Sequence, residues 1–519
     1  VNYDAIIVGC GLGGLTVGNY LAYNGHKVLI IDKNHQPGGC VINFRRGDFR
    51  FDSAVHFING CGPGGMVDNV FKEFDGQGIV EWLPIENLIH WVDTQNDYEA
   101  RPPVPIKEYT DFLCKEFPHE AKHIRKFIKR YSKIMPKLFS LVEPGIFRKF
   151  WNMIKSIPTL MRMMFTSLKT VEDVVNKYFE DPALIELLTL FVAPFGMTRE
   201  TNSNLIWTFS EFSYHLEGAW YPKGGAGAFT QALADHFERN GGEILLNHEV
   251  EFINIQDKEV KEIVCRDKKG NKKHFIPPLC VYTADMYRLA NNLTPPGVFK
   301  KKFYKKVDTR DTIKSLVIVY LGLDIDVKDY GVTDYELWQL NSQWRTPENY
   351  DRIFNQMNYT KLPMEVITFY SNGPDTSCCP PGKTVISTLV TTNLSAWETL
   401  LEDGKKGSKY KEFKKKVGYQ FVDRLAELID VTDLRDHIEL MEVATPLTLS
   451  RYSYTKNGTP IGWAFDTDCI KKPIYYGTPI KNLTLAGHFT FPSGGMSATM
   501  FGGLFAAKVA RKRLEKLTK

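Results

Sequence analysis

The chain has 519 residues, enough for two or three regions with sizeable cores, and its 43% hydrophobic and 24% charged residues are those of a globular protein. A formal net charge of +5 is too mild to imply a nucleic-acid partner. Nine scattered cysteines with no C-x-x-C pair argue against a zinc site, any other metal centre or a disulfide framework, and no apolar run reaches the length of about 18 residues that spans a membrane.

The first elements come at once. "YDAIIVGCGLGGLTVGNYLAYNGHKVLIIDKNHQPGGC" (3–40) reads as an apolar strand from Tyr3 to Val8, a glycine turn, a helix over Leu15 to Tyr23 and a second strand from Lys27 to Asp32. Gly9, Gly11 and Gly14 are spaced G-x-G-x-x-G within this unit, and Asp32 ends the second strand. That is the pattern of a dinucleotide site. Gly9 makes the tight turn, Gly11 admits a pyrophosphate, Gly14 lets helix and strand pack, and Asp32 accepts from ribose hydroxyls.

Residues 37–60 continue as a glycine-rich loop, a basic turn and a strand. His56 is expected on that strand, as a group suited to proton transfer or as a structural histidine bonded to backbone. Residues 76–221 look mostly helical. Within them, 125–169 carry eleven Lys or Arg against one acid, Glu143, with aromatics interleaved at helical spacing. Such a stretch either lies on an anionic membrane surface or forms lid helices with a solvated basic face. "EGAWYPKGGAGAFTQALADHFERNGGEILLNHEV" (217–250) supplies a glycine turn, a helix and a strand. In it Tyr221 is read as packing more readily than as a cavity wall. Strand-like runs at 315–325, 364–370, 383–392 and 438–443 surround a helix near 409–429. At the end, "NLTLAGHFTFPSGGMSATMFGGLFAAKVARKRL" (482–514) gives a strand closing on Gly487 and a small-residue helix from about Met496. The free amides of such a helix start would suit the pyrimidine edge of a flavin, which favours FAD over NAD; a tightly packed terminal helix is the plain alternative.

These elements together are similar to the phytoene desaturase family, which includes carotenoid isomerases and retinol saturases. The resemblance lies in the Gly9–Gly14 fingerprint, the pair Gly38–Gly39, the Gly47, Phe51, Asp52 and His56 stretch, the Y-P-x-G-G turn at 221–225, and the element at 483–507. Cys40, where Arg or Lys is commoner, resembles the retinol saturase branch, and His488 stands where an acid often contacts the ribityl chain.

The resemblance implies an α/β fold. Its Rossmann-type FAD-binding domain would be built from 1–75, 222–290 and 476–519, with a helical, membrane-facing lid at 76–221 and an antiparallel-sheet substrate domain at 291–475. The implied cofactor set is Gly9, Gly11, Gly13, Gly14, Asp32, Lys33, Gly38, Gly39, Val250, Gly487, His488, Gly495, Met496 and Ser497, with His56 as the catalytic candidate.

The expected activity is FAD-dependent saturation or desaturation of carbon–carbon bonds in a long isoprenoid or polyene, or flavin-assisted cis–trans isomerisation of the same substrates. A prenyl-binding escort protein and an amine oxidase share the fold and stay open as alternatives. The first strand begins at Tyr3, so no secretory leader is expected. A cytoplasmic protein bound peripherally to membrane through 125–169 is the expected setting.

Overall fold

Strand β1 (Ala5–Val8) is buried along its whole length, with Ala5 and Ile7 in one core and Ile6 and Val8 in another. Burial on both faces is what a parallel sheet covered on two sides imposes. In the structure, a computed structural model that describes residues 3–517 apart from 54–55, 95 and 143–167, β1 lies at the centre of a five-stranded parallel sheet. Its companions are β2 (Val28–Ile31), β3 (Glu243–Leu245), β4 (Leu279–Tyr282) and β5 (Leu483–Leu485), in the order β3-β2-β1-β4-β5. The sheet thus draws on three separated stretches of chain.

On one face lies helix α1 (Leu12–Tyr23), buried except at its last residue. It starts at Leu12 rather than Leu15, because Gly11 sits in extended backbone as its N-cap. Helix α2 (Met496–Leu517) packs beside it. A Cβ on Gly503 of α2 would lie 3.1 Å from the Thr16 Cβ of α1, one on Gly13 2.7 Å from the Gly487 Cα in the turn before α2, and one on Gly14 2.0 Å from the Gly9 carbonyl oxygen, so α1 is held close both to α2 and to the end of β1. On the other face the antiparallel strands His248–Gln256 and Glu259–Asp267 bury Ile253, Ile255, Val260 and Ile263 against Ile6, Val8, Leu29 and Ile31.

A second, seven-stranded sheet runs in the order 438–444, 315–323, 384–392, 364–369, 336–340, 90–93, 98–100. It is antiparallel except where 336–340 pairs in parallel with 90–93. Residues 76–221 therefore contribute strands to this sheet as well as helices. Strand alternation divides the side chains. Val317, Val319, Leu321, Ile367 and Ile386 share a core with Val417, Phe421 and Leu425 of the helix Ser408–Leu428. Leu316, Trp338, Val366 and Leu389 face the other way, toward the parallel-sheet domain.

In the helical region, Phe127 and Tyr131 of the helix Ala121–Val142 pack on Trp207 and Phe212. Lys122, Arg125, Lys126, Lys129, Arg130 and Lys133 stay exposed. Most of the basic segment, 143–167, lies outside the described residues. Among the described residues no helix is long and apolar enough to cross a membrane.

A buried ion pair ties the strand Phe49–Asp52 to the loop that follows the strand Met364–Phe369. Arg50, on the strand Phe49–Asp52, meets Asp375 at 2.9 Å with both side chains no more than 7% exposed. The Gly224 amide donates to the same carboxylate at 2.7 Å. Asp375→Ala strands the guanidinium in the interior, so denaturant unfolding should report a loss of about 3–5 kcal/mol. A loss below about 1 kcal/mol, the ceiling of an exposed pair, would show that water reaches the site.

Candidate functional site

A cavity of about 370 Å³ runs along the carboxyl ends of the parallel strands, where open α/β sheets place their ligands. Four strand ends feed it: Val8 and Gly9 after β1, Asp32 to Asn34 after β2, Thr283 to Asp285 after β4, and Gly487 with His488 after β5. At its middle, the first intrahelical bond of α1 is Leu15 N to the Gly11 carbonyl at 2.9 Å. The amides of Leu12, Gly13 and Gly14 are thus left outside the helix's own bonding. Thr499 N bonds the Gly495 carbonyl in the same way at the start of α2.

A Cβ on Gly11 would find only the Gly39 Cα at 3.9 Å and the Gly38 oxygen at 4.0 Å within 4 Å, so the space above it belongs to the cavity. Free amides, positive helix ends and a bare backbone cradle fit a dinucleotide pyrophosphate.

The Asp32 carboxylate accepts from the amides of Cys10 and Asn34, each at 2.7 Å. Burial outweighs these bonds and raises its pKa above the ordinary carboxylate value. Beyond it lie Lys33, Glu249, Val250, Asp285 and Arg288, the end where a dinucleotide places its adenosine. Gly38, Gly39 and Cys40 cover the middle, and Gly495 and Met496 bring in the start of α2.

Two expected cofactor residues fall elsewhere. Gly14 is behind the wall, packed on Gly9, and Ser497 donates from its hydroxyl to the Asn59 side-chain oxygen at 2.8 Å beside a neighbouring cavity. His488 does line the main cavity, with a buried Nε2 that has no partner among the described residues. Burial pulls its pKa down to about 4, so it is a neutral hydrogen-bonding group at pH 7. Tyr221 is a packing residue whose hydroxyl donates to Asp52 at 2.6 Å.

The far end of the cavity is apolar. Phe57, Phe191, Tyr214, Leu316, Trp338, Val366 and Leu389 line it. Phe191 stacks on Tyr214 at 5.4 Å and meets Trp338 edge-on at 5.1 Å. A second apolar cavity of about 160 Å³ shares Phe57, Phe191, Tyr214, Gly495 and Met496 as its wall.

His56 is at this apolar end, in the loop after the strand Phe49–Asp52 rather than on the strand itself. Its Nδ1 donates to Glu336 Oε1 at 2.7 Å. That carboxylate also accepts from the Thr368 hydroxyl at 2.7 Å and from the Trp338 indole at 2.9 Å. Tyr335 pins the loop by donating to the His56 carbonyl at 2.5 Å. Nδ1 is therefore committed, and Nε2 is the nitrogen left for exchange with the cavity. Glu336, Thr368 and Trp338 were not among the residues the sequence singled out. The cue was an acid inside the apolar strand E-L-W-Q-L, where a buried charge demands partners.

Burial opposes charging the His56 ring, but the Glu336 charge and hydrogen bond, helped by Asp52, exceed it and raise the pKa. A raised folded-state pKa means that this pairing stabilises the fold fully below about pH 6.5 and is lost as pH rises through the folded value. Glu336→Gln should bring the His56 titration, followed by NMR of its ring, down to or below about 6.5 and flatten that pH dependence. An unmoved titration would show that Glu336 does not set the charge of His56.

The NAD(P)-binding Rossmann-like domain family matches residues 7–74. All-trans-retinol 13,14-reductase of Danio rerio is 24% identical over 98% of this chain and 86% of its own. Prolycopene isomerase 2 of an Oncidium hybrid cultivar is 24% identical over 97% and 83%. The 4,4'-diapophytoene desaturase of a Methylomonas species is 24% identical over 98% and 95%. Among solved structures, an oxidoreductase from Methanosarcina mazei superposes with a TM-score of 0.64 at 16% identity, covering 97% of this chain and 99% of that one. Its likeness is one of fold. Along nearly its whole length, then, the chain is a relative of the retinol reductases, prolycopene isomerases and diapophytoene desaturases, the grouping its motifs resemble.

Proposed function

We propose that the protein is an FAD-dependent oxidoreductase acting on carbon–carbon double bonds of a long apolar polyene or isoprenoid. One observation carries this: a single cavity joins a dinucleotide cradle to an apolar, aromatic-walled chamber. Its relatives are named for reactions on retinol, prolycopene and diapophytoene, which are apolar and polyunsaturated.

The amides of Leu12 and Gly13 would hold the pyrophosphate, Asp32 the ribose hydroxyls, Val250 the adenine side and the start of α2 the flavin's pyrimidine edge. When bound, FAD supplies hydride donor and acceptor chemistry. The chain's own part is to exclude water, align the polyene between Trp338, Tyr214 and Phe191, and hold a proton on His56 Nε2. Glu336 keeps that ring oriented and favours its charged form. The prolycopene isomerase relatives favour a second reading, cis–trans isomerisation of the same substrate class in the same chamber.

Purified protein should be yellow and release FAD on denaturation. Gly11→Val should abolish flavin binding, because its side chain fills the pyrophosphate space. His56→Ala should keep FAD while turnover on a panel of retinoids, carotenes and prenyl lipids falls roughly 10²–10⁴-fold. Product analysis with and without reductant separates redox from isomerisation. Full flavin in Gly11→Val, or full turnover in His56→Ala, would remove the corresponding assignment.

We infer further that the exposed basic face of the helix Ala121–Val142 meets an anionic membrane surface. Its apolar side chains Phe127, Ile128 and Tyr131 are core residues, so for 121–133 the attraction is electrostatic. Binding to anionic vesicles should weaken as salt rises and after Lys126→Glu with Lys129→Glu, with flavin content unchanged. Equal binding to neutral and anionic vesicles at every salt concentration would refute it.

A further inference from the structure

The adenosine end of the main cavity is closed by a segment from the other sheet's subdomain. The helix Pro446–Ser453 follows the strand Ile438–Ala444 and ends at Tyr454, which adopts the left-handed conformation with φ 54°. A tyrosine rarely takes that conformation without compensation. Two cations of the dinucleotide domain supply it. Lys33 Nζ lies 3.7 Å from the centroid of the Tyr454 ring and the Arg288 guanidinium carbon 4.3 Å.

Both cations are themselves fixed. Lys33 donates to the Arg451 carbonyl at 2.7 Å, at the negative end of the helix. Arg288 pairs with Glu249 at 2.5 Å, and the Tyr454 hydroxyl donates to the same carboxylate at 3.4 Å. The Lys456 amide adds a bond to Asp285 at 2.8 Å. Tyr454 is 39% exposed, so core packing does not account for its placement.

We infer that Tyr454 is a retention residue for the adenosine half of the dinucleotide: pinned by Lys33 and Arg288, it closes that end of the cavity and slows departure of FAD. This rests on the FAD assignment proposed above. Two cation–π contacts at a partly exposed ring correspond to a roughly 5–30-fold change in release rate.

The experiment follows recovery of flavin fluorescence after dilution of the holoprotein, for the parent, Tyr454→Gly and Tyr454→Phe. Glycine relieves the left-handed backbone while deleting the ring, so the Gly variant should unfold at the same or a higher temperature as apoprotein yet release FAD faster. Phenylalanine keeps the ring and should stay within about twofold of the parent. Unchanged release from Tyr454→Gly overturns the inference, as does release from Tyr454→Phe as fast as from the Gly variant, which would assign the effect to the hydroxyl. A parent that cannot be loaded with FAD overturns the cofactor assignment, and this inference with it.

Discussion

No side chain fits where the first and last strand–helix turns of the parallel sheet meet. Gly13 of the first turn lies against Gly487 of the last. That close approach, between residues near opposite ends of the chain, brings the starts of α1 and α2 to one cavity. Two sets of unpaired amides and two positive helix ends then face the same space. A dinucleotide's negative charge is the natural complement, and the cradle over Gly11 is the room left for it. A larger residue at 13 would push the two turns apart and one at 14 would push α1 off the end of β1, so the site would lose its form before any ligand contact was altered.

The two ends of the cavity are built on opposite electrostatic terms. Around the dinucleotide end, charges are numerous and paired: Asp32 with two amides, Lys33 with a helix carbonyl, Arg288 with Glu249. At the apolar end His56 lies on the wall, and Glu336 behind it favours its charged form. His488, between the two ends, is kept neutral by burial. A hydrocarbon chain can therefore lie in the chamber without meeting an unpaired charge, while one ring nitrogen remains to exchange a proton. The seven-stranded sheet makes this possible by alternation, spending one face of 315–323 and 364–369 on its own core and giving the other to the chamber.

What was legible in the sequence is what local chemistry dictates. The glycine fingerprint, the acid ending β2 and the small-residue helix at the end each state their geometry within a few residues. The β-branched runs near 315, 384 and 438 become strands whose ends lie within two residues of those expected. The strand Glu336–Leu340 was hidden because its acid breaks the apolar pattern, and only the fold shows that His56, Thr368 and Trp338 converge on that acid. His56 is expected on a strand, but the strand ends at Asp52 and a loop carries the ring to the cavity wall. The amphipathic basic stretch was ambiguous for a physical reason. The same spacing serves a lipid face or a core face, and at Phe127 and Tyr131 the core takes it. Tyr454 left no trace in sequence, since its partners Lys33 and Arg288 come from remote parts of the chain.

The central claim is that dinucleotide and apolar substrate share one continuous cavity. Anaerobic titration of the purified holoprotein with an apolar polyene, such as all-trans-retinol, while recording the flavin absorption band, tests it directly. A saturable, stoichiometric shift or bleaching of that band, lost when Trp338 is replaced by Ala without loss of FAD, is the predicted result. A flavin band that no polyene perturbs at any concentration would contradict it.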